Sequence, residues 1–210
     1  YTINFKKYLP MKNETESIIK SDPNESQDSK ANRLETPEDV YYSIVDTLSQ
    51  LGIDPPELDV FASANNSRCV EHISKEQDAM ITEFVLPNGK VPNSVWANAP
   101  HNDYKSFLMR IYEQYQKHNF NAIILIPTTN MRTSYWQDIV EPNRIEVNPN
   151  GFAFYYPLRG AIYFELDKQQ LKDKYGKKQH AHNAYNVLLL INKNKVKDFK
   201  DKLYQNGICQ

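Results

Sequence analysis

The apolar run at residues 122–126, Ala-Ile-Ile-Leu-Ile, most constrains what this chain can fold into. A run without any polar position is typical of a strand that is covered on both faces by helices. Residues 187–191 form a similar apolar run, and two shorter runs each contain one polar residue: residues 58–62 with Asp59 and residues 94–97 with Ser94. Because such strands belong to parallel sheets flanked by helices, the sequence predicts an α/β layer fold with a largely parallel sheet.

Helix signals lie between these strands. Thr36 and Pro37 with the acidic residues after them predict a helix start, with Thr36 as the N-cap, and Gly52 ends that helix. Apolar residues at helical spacing predict further helices over residues 104–118 and 196–204. Weaker patterns predict a strand at residues 70–73, a short helix at residues 133–140, a strand at residues 145–147, and an antiparallel hairpin of residues 152–156 and 161–166.

The composition fits one globular domain preceded by a polar segment. The polar run at residues 21–30 buries too little apolar surface to order itself. The chain of 210 residues is 40% hydrophobic, which is enough for a sizeable core. We therefore predict a flexible lead-in over residues 1–35 and a single domain over residues 36–210.

Charge and cysteine content narrow the functional classes. A net charge of −1 and an isoelectric point near 6.6 exclude a uniformly basic protein, so any nucleic-acid contact comes from a local patch. Cys69 and Cys209 form neither a disulfide framework nor a zinc set, which favours an intracellular location. His180 and His182 lack further ligands at metal spacing, so they are interpreted as a surface loop and no metal is expected. The sequence shows no run of ~20 apolar residues and no signal peptide, so no membrane association is expected.

A rigid corner, Asn98-Ala99-Pro100-His101, directly follows the predicted strand at residues 94–97. An Asn-x-Pro corner holds an acceptor side chain and backbone carbonyls beyond the carboxyl end of a strand, where α/β sheets bind ligands. A similar run, Asp54-Pro55-Pro56-Glu57, precedes a strand instead and is interpreted as a turn. The corner at Asn98 is therefore the candidate reaction centre.

This corner is the last of several motifs that resemble those of a known family, in the same order. The matching segments are Thr36-Pro37, Asp59-Val60-Phe61-Ala62-Ser63 followed by Asn66 and Cys69, Asp78-Ala79-Met80, and Trp96-Ala97-Asn98-Ala99-Pro100-His101. The series resembles the phage-type DNA N6-adenine methyltransferases, which are Rossmann-like enzymes that use S-adenosylmethionine. The resemblance covers roughly residues 36–191. It implies a mostly parallel sheet flanked by helices, with a C-terminal antiparallel hairpin.

The resemblance also implies a cofactor site for S-adenosylmethionine. In that family the strand-end Asp and the backbone turn after it face the methionine part of the cofactor, and the Thr-Pro pair approaches from the neighbouring helix. The later acidic segment contacts the adenosine. The residues carried over are Thr36, Pro37, Asp59, Ala62, Ser63, Asn66, Asp78 and Ala79. Two alternatives stay open: Asp59 as a strand-end cap held by backbone N–H groups, and Asp78 as a solvated loop charge.

The same resemblance assigns catalysis to Asn98, Ala99, Pro100 and His101. The side-chain oxygen of Asn98 and the carbonyl of Ala99 would accept the two hydrogens of the adenine N6 amino group, and His101 would stack on the extruded base. Ala99 and His101 depart from the usual Pro and aromatic residue. These departures leave two alternatives open: a catalytically degenerate binding or partner subunit, and a methyltransferase for cytosine N4, RNA adenine or a protein glutamine.

DNA, the expected partner, requires positive charge near the corner. Phosphate contacts are predicted from five residues that follow the last core motif: Arg132, Arg144, Arg159, Lys177 and Lys178. Tyr135 and Trp136 are either base-stacking residues or part of the core, and the lysines at 174–178 are alternatively a solvated loop.

Overall fold

The computed structural model describes residues 36–99, 103–127, 133–155 and 185–205. The predicted lead-in, residues 1–35, lies outside this part of the chain, and the single-domain assignment stays a prediction. The described elements are helix α1 (Glu38–Gln50), strands β1 (Leu58–Asp59), β2 (Glu71–His72) and β3 (Ser94–Ala97), helix α2 (Tyr104–His118), strands β4 (Asn121–Pro127), β5 (Phe152–Tyr155) and β6 (Tyr185–Leu190), and helix α3 (Val196–Gln205). A π-helical turn (Trp136–Val140) and a 3₁₀ turn (Glu141–Asn143) lie between β4 and β5.

The strands form one six-stranded sheet in the order β2-β1-β3-β4-β6-β5. The first four strands of that order are parallel. Strand β6 runs antiparallel to both of its neighbours, β4 and β5. The prediction of a parallel sheet therefore holds for β1 to β4, while the C-terminal part of the sheet is antiparallel. The antiparallel partner described for β5 is β6, and the predicted second strand of the hairpin, residues 161–166, lies outside the described residues.

Helices cover both faces of the sheet, as the fully apolar strands require. Alternate side chains of a strand point to opposite faces. Ile124 and Ile126 pack in the same cluster as residues of α2. Ile123 and Leu125 pack with residues of α1 and with Phe199 of α3. Burial of each such side chain contributes about 1.5–3 kcal/mol, so β4 holds the two layers of helices together.

Helix α2 has the bounds that its sequence predicts. The Asp103 carboxylate caps its first turn by accepting a hydrogen bond from the backbone N–H of Ser106, at 3.2 Å. Asn119 ends the helix in the left-handed conformation, with φ of 58°, which asparagine tolerates better than most residues. The cap and the terminator thus fix this helix directly after the candidate corner.

Helix α1 ends as predicted but begins differently. The backbone N–H groups of Gly52 and Ile53 donate to the carbonyls of Ser49 and Leu48, and Gly52 has a φ of +85°. This is a Schellman motif, which needs glycine at that position. At the other end the N-cap is Pro37 and no side chain caps the helix, so the prediction of Thr36 as N-cap is wrong. The Thr36 hydroxyl instead accepts a hydrogen bond from Asn98, a residue distant in the sequence.

Other sequence predictions are corrected by the structure. Residues 145–147 form a turn in place of the predicted strand, because the backbone N–H groups of Val147 and Asn148 donate to the Arg144 carbonyl. The predicted strand at residues 58–62 ends at Asp59, where the chain turns. The short helix at residues 133–140 is largely the π-helical turn. In the described part of the chain, no helix is long and apolar enough to cross a membrane.

Candidate functional site

The strand order reverses between β1 and β3, and the crevice expected at the carboxyl ends of these strands is the candidate site. These strands are neighbours, and Asp59 is in register with Trp96, although β2 lies between them in the sequence. The chain therefore passes from β1 to β2, which lies on one side of β1, and then to β3, which lies on the other side of β1. In α/β sheets, ligands bind outside the carboxyl ends of strands at such a topological switch point. The segment after Asp59 and the Asn98 corner both begin at this point.

Asp59 is a buried carboxylate that shapes the turn after β1. It is 4% exposed, and its oxygens accept hydrogen bonds from the backbone N–H groups of Phe61 (3.4 Å) and Arg68 (3.2 Å). Burial raises the pKa of Asp59 to about 7, and the two backbone N–H groups only partly offset that rise. These contacts are those of the strand-end alternative, in which the Asp59 carboxylate folds the loop after β1.

The loop between β1 and β2 closes on itself near its tip. The side-chain oxygen of Asn66 accepts hydrogen bonds from the backbone N–H of Ser63 at 2.7 Å and from the Ser63 hydroxyl at 3.1 Å. Ala62 precedes this turn, and its backbone N–H donates to the carbonyl of Ile73 at 3.4 Å. Three of the predicted cofactor residues, Ala62, Ser63 and Asn66, are therefore brought together in one loop.

Arg68 joins this loop to the start of α1. Its Nε donates to the backbone carbonyl of Thr36 at 2.6 Å, and its Nη1 lies 3.6 Å from the Glu38 carboxylate. Because the backbone N–H of Arg68 donates to Asp59, this one residue connects the end of β1 to the Thr36-Pro37 pair. Sequence analysis did not single out Arg68. Its position between Asn66 and Cys69, inside a matched motif, was the available signal.

Asn98 extends the same set of contacts to β3. Its Nδ2 donates to the Thr36 hydroxyl at 3.2 Å, and its side chain is half-buried at the crevice. Ala99 is 3% exposed and packs in the core cluster that contains α2. The remaining corner residues, Pro100 and His101, lie outside the described residues. Segments predicted separately from the sequence, at Thr36 and at Asn98, thus meet in one site.

The Asp78-Ala79 segment is a turn held by a buried arginine, in which Asp78 is exposed and Ala79 is buried. Asp78 has a φ of 56°, and its carboxylate accepts a hydrogen bond from the backbone N–H of Met80 at 2.9 Å. Arg110 of α2 donates to the carbonyls of Ala79 (3.2 Å) and Thr82 (3.0 Å). Arg110 is 9% exposed, and sequence analysis missed it, although a charged residue on the buried face of a predicted helix was a usable signal.

Of the predicted DNA contacts, Arg144 lies in the described part of the chain. Arg144 forms ion pairs with Glu141 and Glu146, and its guanidinium lies 4.9 Å from the centre of the Phe154 ring. Tyr135 and Trp136 are 6% and 2% exposed, which places them in the core. The other four predicted residues lie outside the described part of the chain: Arg132, Arg159, Lys177 and Lys178. Within the described residues, no group of His, Cys, Asp and Glu side chains is arranged to hold a metal ion.

A family model described as DNA N-6-adenine-methyltransferase (Dam) matches residues 24–201. This range covers most of the chain and contains every predicted site residue. Among curated proteins, none matches the chain.

Proposed function

The chain belongs to the DNA N-6-adenine-methyltransferase (Dam) family and is a DNA adenine methyltransferase; on that premise we propose that S-adenosylmethionine and the target adenine meet at the switch point between β1 and β3. The observation that carries this assignment is the direct link between Asn98 and Thr36 at the carboxyl ends of these strands. S-adenosylmethionine, when bound, supplies an electrophilic methyl group. The residues of the chain then have to bind it, orient the amine and exclude water.

The residues around the crevice fit such a cofactor. Polar groups are supplied by Thr36, by the Ser63–Asn66 turn and by the backbone N–H and C=O groups of the loop after Asp59. The half-buried rings of Phe61 and Phe107 pack edge to face, with their centroids 4.8 Å apart, and provide an apolar wall at the same end of the sheet. A few placed polar groups beside an aromatic wall suit a ligand that joins an amino acid to an adenine ring.

We assign cofactor binding to two loops that the structure describes. The loop after β1, with Ala62, Ser63 and Asn66, and the Thr36-Pro37 pair would hold the methionine part. The turn at Asp78 and Ala79 would hold the adenosine part. Asp59 keeps the first loop folded, and its buried carboxylate would add a favourable interaction with the positively charged cofactor.

The amino group of the target adenine would be held by the Asn98 corner. The Asn98 side-chain oxygen and the Ala99 carbonyl would accept hydrogen bonds from its two N–H groups, which directs the nitrogen lone pair toward the methyl group. The proton that the methylated nitrogen loses would pass along one of these hydrogen bonds to water. Positioning and electrostatic stabilisation supply the acceleration, and no strongly basic residue is needed. Pro100 would keep the corner rigid, and His101 would stack on the extruded base. Arg132, Arg144, Arg159, Lys177 and Lys178 remain the proposed phosphate contacts.

Replacing Asn98 with Ala tests this assignment. Because the lost acceptor acts mainly in the transition state, kcat for methyl transfer to unmodified DNA should fall by roughly a hundredfold or more, whereas the Kd for S-adenosylmethionine should change little. Tritiated methyl transfer, with N6-methyladenine identified by mass spectrometry, measures the first quantity and calorimetric titration the second.

The matched control is Asn93→Ala, an exposed asparagine directly before the other end of β3. This variant should keep wild-type turnover. Full activity of Asn98→Ala would remove the corner from the mechanism.

A further inference from the structure

The backbone of Arg68 is fixed by hydrogen bonds of its own and of its two neighbours. Its N–H donates to the Asp59 carboxylate at 3.2 Å. The hydroxyl of Ser67 donates to the carbonyl of Cys69 at 2.9 Å and accepts a hydrogen bond from the backbone N–H of the same residue at 3.2 Å. Cys69 is 6% exposed and packs in the same core cluster as residues of α1. The loop after β1 therefore presents the Arg68 side chain from a fixed position beside this helix.

The Arg68 side chain supplies a donor that α1 itself does not supply. The first backbone acceptor of this helix is the Pro37 carbonyl, which accepts a hydrogen bond from the N–H of Tyr41 at 3.0 Å. The Thr36 carbonyl precedes that pattern, and Thr36 is only 4% exposed. A buried carbonyl without a donor is costly. Arg68 Nε donates to this carbonyl at 2.6 Å, and the positive charge of the donor strengthens the bond.

One side chain thus joins two segments that are distant in the sequence. The Thr36-Pro37 pair precedes α1, and the loop with Ser63 and Asn66 follows β1. Arg68 Nη1 adds a weaker link to the same helix, at 3.6 Å from the Glu38 carboxylate. A ligand that has to order two separate segments loses part of its binding free energy, and a site that is already assembled avoids this loss.

We propose that Arg68 is a positioning residue for the cofactor: its Nε holds the Thr36 carbonyl, so that the Thr36-Pro37 pair and the loop after β1 form one preassembled site for the methionine part. This inference rests on the proposed function, which assigns both segments to that part of S-adenosylmethionine. Arg68 need not contact the cofactor itself, since it acts through the two segments that it joins.

Three ligands separate this role from an effect of charge or of general stability. S-adenosylmethionine carries a positive sulfonium, S-adenosylhomocysteine lacks the methyl group and that charge, and 5′-methylthioadenosine lacks the amino-acid part. In Arg68→Met, the Kd of the first two ligands should rise roughly tenfold. The Kd of the third should stay within about twofold, because Arg110 separately anchors the turn proposed for the adenosine. Calorimetric titration of the folded variant measures all three.

Turnover gives a further readout. Arg68 joins cofactor-binding segments and is not one of the proposed reacting groups. In Arg68→Met, the KM for S-adenosylmethionine should therefore rise, while kcat at saturating cofactor stays within about threefold of the wild type.

Arg68→Lys is a second variant that keeps the charge and perturbs the fold less. A lysine has a single nitrogen at the end of its stem and cannot reproduce the fork toward Thr36 and Glu38. Its Kd values should rise in the same pattern by a smaller factor. Lys90→Met is the matched control, because it removes a cation that lies 3.6 Å from the Glu57 carboxylate, directly before the amino end of β1. It should leave all three Kd values unchanged.

The outcomes separate this inference from the proposed function. If the wild-type protein does not bind S-adenosylmethionine, the proposed cofactor site fails first. If the wild type binds it and Arg68→Met binds all three ligands equally well, the cofactor site stands and the inference fails. A lower Kd for S-adenosylmethionine alone would show that Arg68 acts only as a repelling charge, since its removal would then favour the cationic ligand. An equal loss of affinity for all three ligands would show a general structural role and would also overturn the proposal.

Discussion

At the scale of single residues, Asp59 shows how a site residue departs from its ordinary chemistry. A carboxylate that is 4% exposed would be costly to keep charged, and its two backbone hydrogen bonds reduce that cost only in part. Burial raises the pKa of Asp59 to about 7, well above the value of about 3.9 for aspartate in an unfolded chain. Protonation of this group is therefore linked to folding in the neutral pH range.

The sign of that linkage gives a prediction for Asp59→Asn. Between about pH 4 and pH 7 the folded wild-type protein keeps a proton on Asp59 that the unfolded chain has lost, so its stability falls as the pH rises through this window. The Asn variant has no carboxyl group at this position, so its stability lacks this pH dependence. The free energy of unfolding of the variant relative to wild type should rise from pH 4 to pH 7 and then level off. Urea unfolding at a series of pH values measures the difference, and a pH-independent difference would contradict the raised pKa.

At the scale of secondary-structure elements, the sequence predicted what local patterns determine. Helix α2 and strand β3 have their predicted bounds, because a helical apolar face with a clear cap and a short buried strand are local properties. The start of α1 was predicted wrongly, because the Thr36 hydroxyl bonds to a residue on another element. The strand at residues 58–62 was predicted too long for the same kind of reason: the Asp59 carboxylate folds the following residues into a turn.

The contact between α2 and the Asp78 turn gives a second prediction. Arg110→Met keeps a long side chain but leaves the carbonyls of Ala79 and Thr82 without their donors. We expect the free energy of unfolding to fall by about 2–4 kcal/mol and the Kd for S-adenosylmethionine to rise, because the turn loses its anchor. The kcat at saturating cofactor should be largely kept.

The control for this variant is Glu113→Gln. It removes the charge of the exposed carboxylate that contacts Arg110 on its outer side, at 3.0 Å. This surface pair contributes little to stability, so the control should bind the cofactor like wild type. An unchanged Kd in Arg110→Met would show that the turn does not form part of the cofactor site.

At the scale of the whole molecule, the sequence predicted the layers but not the order of the strands. Buried runs alternating with helices indicate an α/β fold, yet nothing local specifies that β3 returns beside β1 or that β6 lies between β4 and β5. The candidate site followed from motifs matched to a family. The structure joins Asp59 to Thr36 through Arg68, and Thr36 is hydrogen-bonded directly to Asn98. Arg68 and Arg110 were not predicted, because each donates hydrogen bonds to backbone carbonyls that are distant in the sequence and are brought near only by the fold.

The proposed site occupies one end of the sheet, and the last prediction concerns the opposite end. At the amino end of β4, Asn121 is 1% exposed. Its Nδ2 donates to the carbonyl of Asn93 and to the hydroxyl of Ser94, and its Oδ1 accepts a hydrogen bond from the backbone N–H of Asn192. It thereby joins β3, β4 and the segment after β6 at the end of the sheet opposite the proposed site. Asn121→Ala breaks all three bonds and removes a hydrogen-bond partner of the buried Ser94 hydroxyl, so the free energy of unfolding should fall by about 2–4 kcal/mol.

Catalysis should respond differently, because the proposed reacting residues lie at the carboxyl ends of the parallel strands. At a temperature where Asn121→Ala is still folded, its kcat and its Kd for S-adenosylmethionine should match the wild type. Asn150→Ala, at an exposed asparagine in the turn before β5, is the control and should change neither stability nor activity. Urea unfolding and methyl-transfer assays on the same preparations measure the two properties. A large loss of kcat in folded Asn121→Ala would mean that the two ends of the sheet are coupled, and the separation argued from the topology would be wrong.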